Sequence, residues 1–421
     1  MAEANVAEAG AGVRGRAGLR RLLVSLGVAG GALSATYTGV GTILLPLQIE
    51  RIDRPHKIAA LGVVAGVSAA FALVFNPIGG SLSDRTRSRF GRRAPWLVSA
   101  SAGVLLLLAL LGQASTVLAV LVAWCLAQAL ANIYQAPLTA VVPDRVAVSR
   151  RGAAASVAGV AAVLGGVAGV GIASVFSAHL STGYIALGVL LVLSAWYFVL
   201  TTADRSTAEL ARPPRDTRSL GARLATFVSA LRHRDFACVF ASRAAAILGY
   251  FLVISYELYI LTDYIKLPSG LKPARGVTIL AAISAVGAII AAAIAGPISD
   301  RLNRRKPFVI VSSAIAGVGC ILPVLSPTFT TIQIFAAIAG LAFGCYLSVN
   351  AALITLVLPR NEDAARDLGV LNIANAGPQV IAPLLAALII SHLGGYRTLF
   401  IVGGICGIVG AVAVAGVRSV R

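Results

Sequence analysis

Glu257 is the one carboxylate clearly inside an apolar run, and Arg243, Tyr250 and Tyr264 accompany it at seven-residue intervals. On one continuous helix these four positions share a stripe. Such a stripe must face a polar interior, because an ionised group in hydrocarbon costs several kcal/mol. Arg243 and Glu257 are about 21 Å apart at the helical rise, too far to pair unless the helix breaks. A carboxylate so placed suits proton binding and release as access to it alternates. The plainer reading is snorkelling to water, since Glu257 lies within two turns of the end of its run.

A second chemistry is amide recognition. Trp124, Gln128, Asn132 and Gln135 follow helical spacing, which puts an aromatic ring and three amides on one face. Amides can bind hydroxyls, and the ring can pack on the apolar face of a sugar. Asn372, Asn375 and Gln379 sit at i, i+3 and i+7 beside Gly377-Pro378, where an interrupted helix frees carbonyls. Tyr37, Thr38 and Thr42, with Tyr346 and Asn350, complete a candidate cavity lining. Taken singly, each residue is better explained by interhelical hydrogen bonding; taken as a set, they point to a polar cavity.

Enzymatic chemistry finds no support. No nucleophile lies beside a base, no Walker loop occurs, and no spacing suits a metal, so no cofactor is expected. The five cysteines, Cys125, Cys238, Cys320, Cys345 and Cys406, all fall in apolar runs without CxxC spacing and read as small apolar residues. Gly165 and Gly169 on the fifth run let helix backbones approach closely.

The elements that must position these residues cross a bilayer. The 421 residues are 58% hydrophobic and 12% charged, about half the charge of a soluble domain. Twelve apolar runs follow one another, the first near 22–48, the seventh near 237–262 and the ninth near 307–325. Most exceed the roughly 20 residues needed to span hydrocarbon, and their continuity argues against an outer-membrane barrel. A net charge of +19 would suit nucleic acid. However, most Lys and Arg fall in segments that share one side of a multi-span chain, the positive-inside pattern, so the expected partner is a lipid bilayer and not nucleic acid. The first run is too long for a signal peptide. An even count places both termini in the cytoplasm, and 31 Arg against 4 Lys fits a GC-rich bacterial genome and its cytoplasmic membrane.

The expected organisation is an all-α membrane protein of two pseudo-symmetric six-helix bundles: a tail at 1–21, a bundle at 22–202, a basic linker at 203–236, a second bundle at 237–417 and a tail at 418–421. The bundles are related. Gly80-Ser-Leu-Ser-Asp84-Arg85 reappears as Gly296-Pro-Ile-Ser-Asp300-Arg301, and Ala136-Pro-Leu-Thr-Ala-Val-Val-Pro143 as Ala352-Leu-Ile-Thr-Leu-Val-Leu-Pro359, in one shared register. Duplicated halves are the mark of a carrier that rocks one bundle against the other.

The loop from Gly80 through Asp84, Arg85, Arg87, Arg89 and Gly91 to Arg92-Arg93 resembles the signature loop of the major facilitator superfamily, with a weaker echo at Asp300-Arg301-Leu-Asn-Arg304-Arg305. That resemblance implies gating roles for Asp84, Arg85 and Arg93, echoed by Asp300 and Arg301. The inserted Thr-Arg-Ser-Arg-Phe is similar to the form carried by glycoside-pentoside-hexuronide cation symporters and sucrose-type carriers. Cation-coupled members of that branch carry two carboxylates on helix two. Here the matching positions are Ala72 and Asn76, before Pro77, so a sodium site is not expected. Helix five lacks the Gly-Pro motif of drug antiporters. The expectation is therefore proton-coupled uptake of a sugar or glycoside by a monomeric carrier. The alternatives are proton-driven export of a drug or metabolite, and a non-transporting sensor or lipid-handling protein of the same fold.

Overall fold

The computed structural model describes residues 16–202, 233–302, 304–357 and 364–417. The expected linker lies outside them up to residue 232, as do the tails except for 16–21. The side chains of Asp300 and Asn350 are also outside the description. Among the described residues, twelve helices are long and apolar enough to cross a membrane. The chain forms two compact units, Met1–Lys57 with Val67–Pro214, and Ile58–Gly66 with Arg215–Arg421.

In the first unit, α1 runs Arg16–Gly39, passes a π turn at Val40–Leu44 and continues as Leu45–Ile52. Then follow α2 (Lys57–Arg85, of which Ile58–Gly66 groups with the second unit), α3 (Ala94–Leu111), α4 (Val117–Arg145), α5 (Arg151–Val175) and α6 (Leu180–Thr201). In the second unit, α7 is Arg234–Ile254 with a short continuation at Glu257–Asp263, and α8 is Pro273–Leu302. Next, α9 is Lys306–Gly319 with Ile321–Leu325, and α10 (Phe329–Val357), α11 (Ala364–His392) and α12 (Gly395–Ala415) complete the unit.

Side chains and close packing, more than helix propensity, fix these elements. Thr116 caps α4 by accepting from Ala119 N at 3.2 Å. Gln48, 5% exposed, donates to the carbonyls of Leu111 and Ala114 and accepts from Tyr184 Oη at 2.7 Å. This clips the ends of α1, α3 and α6 together with every polar atom satisfied. In the first unit α1 and α5 approach so closely that a Cβ on Gly165 would strike the backbone of Gly31, and one on Gly169 that of Ala35. In the second unit the matching ladder lies elsewhere, with Gly340 against Ser284 and Gly344 against Ala288, between α8 and α10. Without lipid-excluding burial to draw helices together, such backbone approach supplies the dispersion contact that holds them.

The seventh run is not one helix, which corrects the four-residue stripe. The interruption falls at Ser255 and Tyr256, where Ser255 Oγ donates to Phe251 O at 2.6 Å and competes with the helical ladder. Tyr264 leaves the stripe: its hydroxyl donates to Pro323 O at 2.9 Å, and its ring lies against Tyr396 and Phe400. The ninth run likewise breaks at Cys320.

Candidate functional site

The break in α7 aims Glu257 into the interior of the second unit. Half-buried, it lines a cavity of about 90 Å³ enclosed by α7, α8, α9, α10 and α12, together with Tyr250, Ser284, Ser313, Phe343 and Tyr346. Tyr250 stacks on Phe343 with ring centroids 4.3 Å apart and planes 10° from parallel. Ser284 Oγ is taken by Ala336 O at 3.0 Å, whereas Ser313 Oγ, in a residue 4% exposed, has no hydrogen-bond partner among the described residues. Pockets that hold drug-sized solutes run to about 300–1,000 Å³. This one suits a few waters beside a carboxylate. Ser313 was not singled out from the sequence, because a serine in an apolar run carries no signal until its neighbours are known.

Arg243 lies on α7 before the break. Its Nη2 donates to Asn375 Oδ1 of α11 at 3.4 Å, longer than a good hydrogen bond. Its buried Nε has no partner among the described residues. Leaving such a donor unmet costs roughly 1–3 kcal/mol, more for a charged group. Asn375 O accepts from Gln379 Nε2 at 2.9 Å, while Asn372 on the preceding turn is exposed. Of the three helix-eleven amides, Asn375 is the one that reaches the guanidinium.

In the first unit the amides answer one another. Asn76 Nδ2 of α2 donates to Asn132 Oδ1 at 3.3 Å, and Asn132 Nδ2 to Gln128 O at 2.9 Å. Tyr37 Oη donates to Gln135 Oε1 at 3.3 Å. Thr38 Oγ1 donates to Ser34 O at 2.8 Å and to Gly166 O at 2.9 Å, which pins α1 to α5. Trp124 needs correcting: at 3% exposure its ring is covered by packing and offers no platform to a solute. Asn132 at 6% and Tyr346 at 3% are also enclosed within their units. Tyr37, Gln128 and Gln135 stay half-buried, and Gln128 Oε1 has no partner among the described residues.

The charged loop after α2 closes on itself. Arg93, its side chain 5% exposed, reaches Asp84 Oδ1 and Asp144 Oδ2, both at 2.9 Å, and its Nη1 donates to Ser83 Oγ at 2.9 Å. Arg92 joins Asp144 at 2.8 Å. Arg85 and Arg301 are exposed. Asp84 pairs with Arg93, nine residues away, because the loop turns back through Gly91 at φ +83°. Asp144, at the end of α4, was missed. Only the Pro-Asp-Arg sequence closing the helix could have suggested it.

The sequence matches the family described as the Major Facilitator Superfamily over residues 22–272 and 267–421, and the chain belongs to that superfamily. It is a multi-pass membrane protein of the transporter kind. A curated relative, the uncharacterized MFS-type transporter YfiU of Bacillus subtilis (strain 168), is 28% identical over 117 residues, which are 28% of this chain and only 22% of that relative. Among solved structures, the peptide transporter POT in complex with sulfate aligns with a TM-score of 0.76 at 15% identity, covering 97% of this chain and 96% of that one. The nucleoside transporter NupG gives 0.74 at 13% identity, covering 94% and 99%. A bacterial homologue of the human lysosomal transporter Spinster gives 0.66 at 15%, covering 94% of each. At such identities the likeness is one of fold.

Proposed function

We propose that the protein is a proton-coupled secondary transporter that takes up a hydroxylated solute of the sugar or glycoside class by alternating access. It would work as a monomer in a bacterial cytoplasmic membrane with both termini cytoplasmic. The observation that carries the coupling is the position of Glu257: a carboxylate at a helix break, beside a cavity with room for water, can exchange its proton without entering hydrocarbon. The half-buried amides Gln128 and Gln135, with Tyr37, support recognition of hydroxyls, and the extended loop after α2 supports the glycoside-type branch. Asp84, Arg93 and Asp144 form a charge-locked element suited to gating.

The test is accumulation in proteoliposomes under an imposed proton gradient. Glu257→Gln should abolish gradient-driven accumulation of the sugar while leaving counterflow exchange intact. Normal accumulation by that variant would remove the coupling role.

A second reading, export of an aromatic or amphipathic compound, is favoured by the Tyr250–Phe343 stack. Rescue of drug-hypersensitive cells, with no sugar accumulation in vesicles, would select it.

A further inference from the structure

We infer that the solute carries an oxyanion, either a carboxylate or a phosphoryl group, and that Arg243 receives it. This deepens the transport reading above and rests on it. Arg243 lies nine residues into α7, about 14 Å along the helix axis, where an ionised group needs a partner. Among the described residues its hydrogen bond is the long, neutral one to Asn375, and its Nε has none. Of the acids of its own span, Asp235 is about 12 Å away along the axis, and Glu257 lies beyond the break at Ser255 and Tyr256. From the helices packed around it, α11 brings the amides Asn375 and Gln379, and α10 brings Tyr346.

Arg93 shows what a structural arginine looks like in this chain, with two carboxylates and a hydroxyl around its guanidinium. Arg243 has the same planar fork, which matches an oxyanion in bidentate geometry, with no carboxylate among the described residues paired to it. A charge kept inside a span with its counter-charge left out is a site completed by a ligand. The neighbouring amides are then free to serve the neutral part of the solute.

The test uses the purified full-length chain without any gradient, so it stands apart from proton coupling. Glucuronate, citrate and glucose 6-phosphate are compared with glucose by calorimetry and thermal shift, and inorganic phosphate serves as the ion control. At least one charged solute should bind tenfold or more tightly than glucose, and Arg243→Gln should erase that preference. Binding of glucuronate or citrate alone assigns a carboxylate, and of glucose 6-phosphate alone a phosphoryl group. Because the variant removes a charge that no carboxylate among the described residues pairs with, its melting temperature without ligand should equal or exceed that of the parent. The inference is overturned if glucose binds as tightly as the charged solutes, if none of them binds, or if inorganic phosphate alone accounts for the stabilisation. It is equally overturned if Arg243→Gln keeps the preference or melts several degrees lower. Loss of coupling in Glu257→Gln with no oxyanion preference would sink this inference alone; oxyanion binding without transport would sink only the transport reading.

Discussion

In the first unit, the α4 face bearing Trp124 and Gln128 packs its amides against α1 and α2. In the second, the register that takes Pro143 to Pro359 puts Gly340 and Gly344 on the matching face of α10, and α8 closes onto their backbone. The same repeat therefore spends one helix face in two ways. Large polar side chains hold α2 and α4 through Asn76 and Asn132, while their absence lets α8 and α10 touch at Ser284 and Ala288. The charged ends differ too. Arg93 collects two carboxylates, whereas Lys306, beside the repeat-related Arg305, donates to the carbonyl of Val417 at 2.6 Å. A duplicated scaffold keeps its helix plan while its interior contacts drift, since any contact that fills the space will serve.

Exchanging residues between the units tests that difference. Gly344→Gln puts the first unit's amide where α8 backbone already lies, and should cost about 3 kcal/mol or more, the upper range for overpacking. The expected readout is early labelling of the buried Cys320 in a thermal ramp, with Cys125 of the first unit opening later. If both cysteines open together at the parent temperature, the α8–α10 ladder is not the restraint described. Arg93→Gln should lose roughly 3 kcal/mol, the low end for breaking a buried ion pair because the Asp84 side chain is 51% exposed and that of Asp144 26%. Here Cys125 should open first, and Asp144→Asn should reproduce more of the loss than Asp84→Asn. The reciprocal exchange, Gln128→Gly, removes a side chain whose Oε1 is unpartnered and should cost only about 1 kcal/mol of helix propensity. A loss as large as that of Gly344→Gln would show that the amide face is packed as tightly as the glycine face. Smallest of all, Asn76→Ala should shift the melting temperature by the equivalent of about 0.6 kcal/mol, the typical worth of an interhelical hydrogen bond in a membrane protein.

The helices were legible because apolar runs of spanning length have only one way to satisfy their backbone in lipid. The glycine approach of α5 was legible for a related reason, since a residue without a side chain advertises where another backbone can come. Glu257 and Arg243 announced themselves by being charged in hydrocarbon. Their surroundings did not. Ser255 looks like any small residue of the run, yet its hydroxyl bonds back to Phe251 and coincides with the break that ends the stripe. Trp124 has the spacing of a cavity residue and is enclosed by packing, because periodicity places a side chain on a face without saying what covers that face. Asp144 is read as a loop acid until the turn at Gly91 brings Arg92 and Arg93 to it.

Sequence alone determined that the chain crosses a membrane twelve times in two related halves, because hydration of the backbone and of charge is a local cost that every segment meets by itself. The tertiary structure decided which carboxylate a buried arginine finds and which helix face admits a neighbour's backbone. It alone gave Glu257 a cavity with room for water. These depend on contacts between residues far apart in the chain, where a rotation of one helix exchanges one partner for another at little change in local energy.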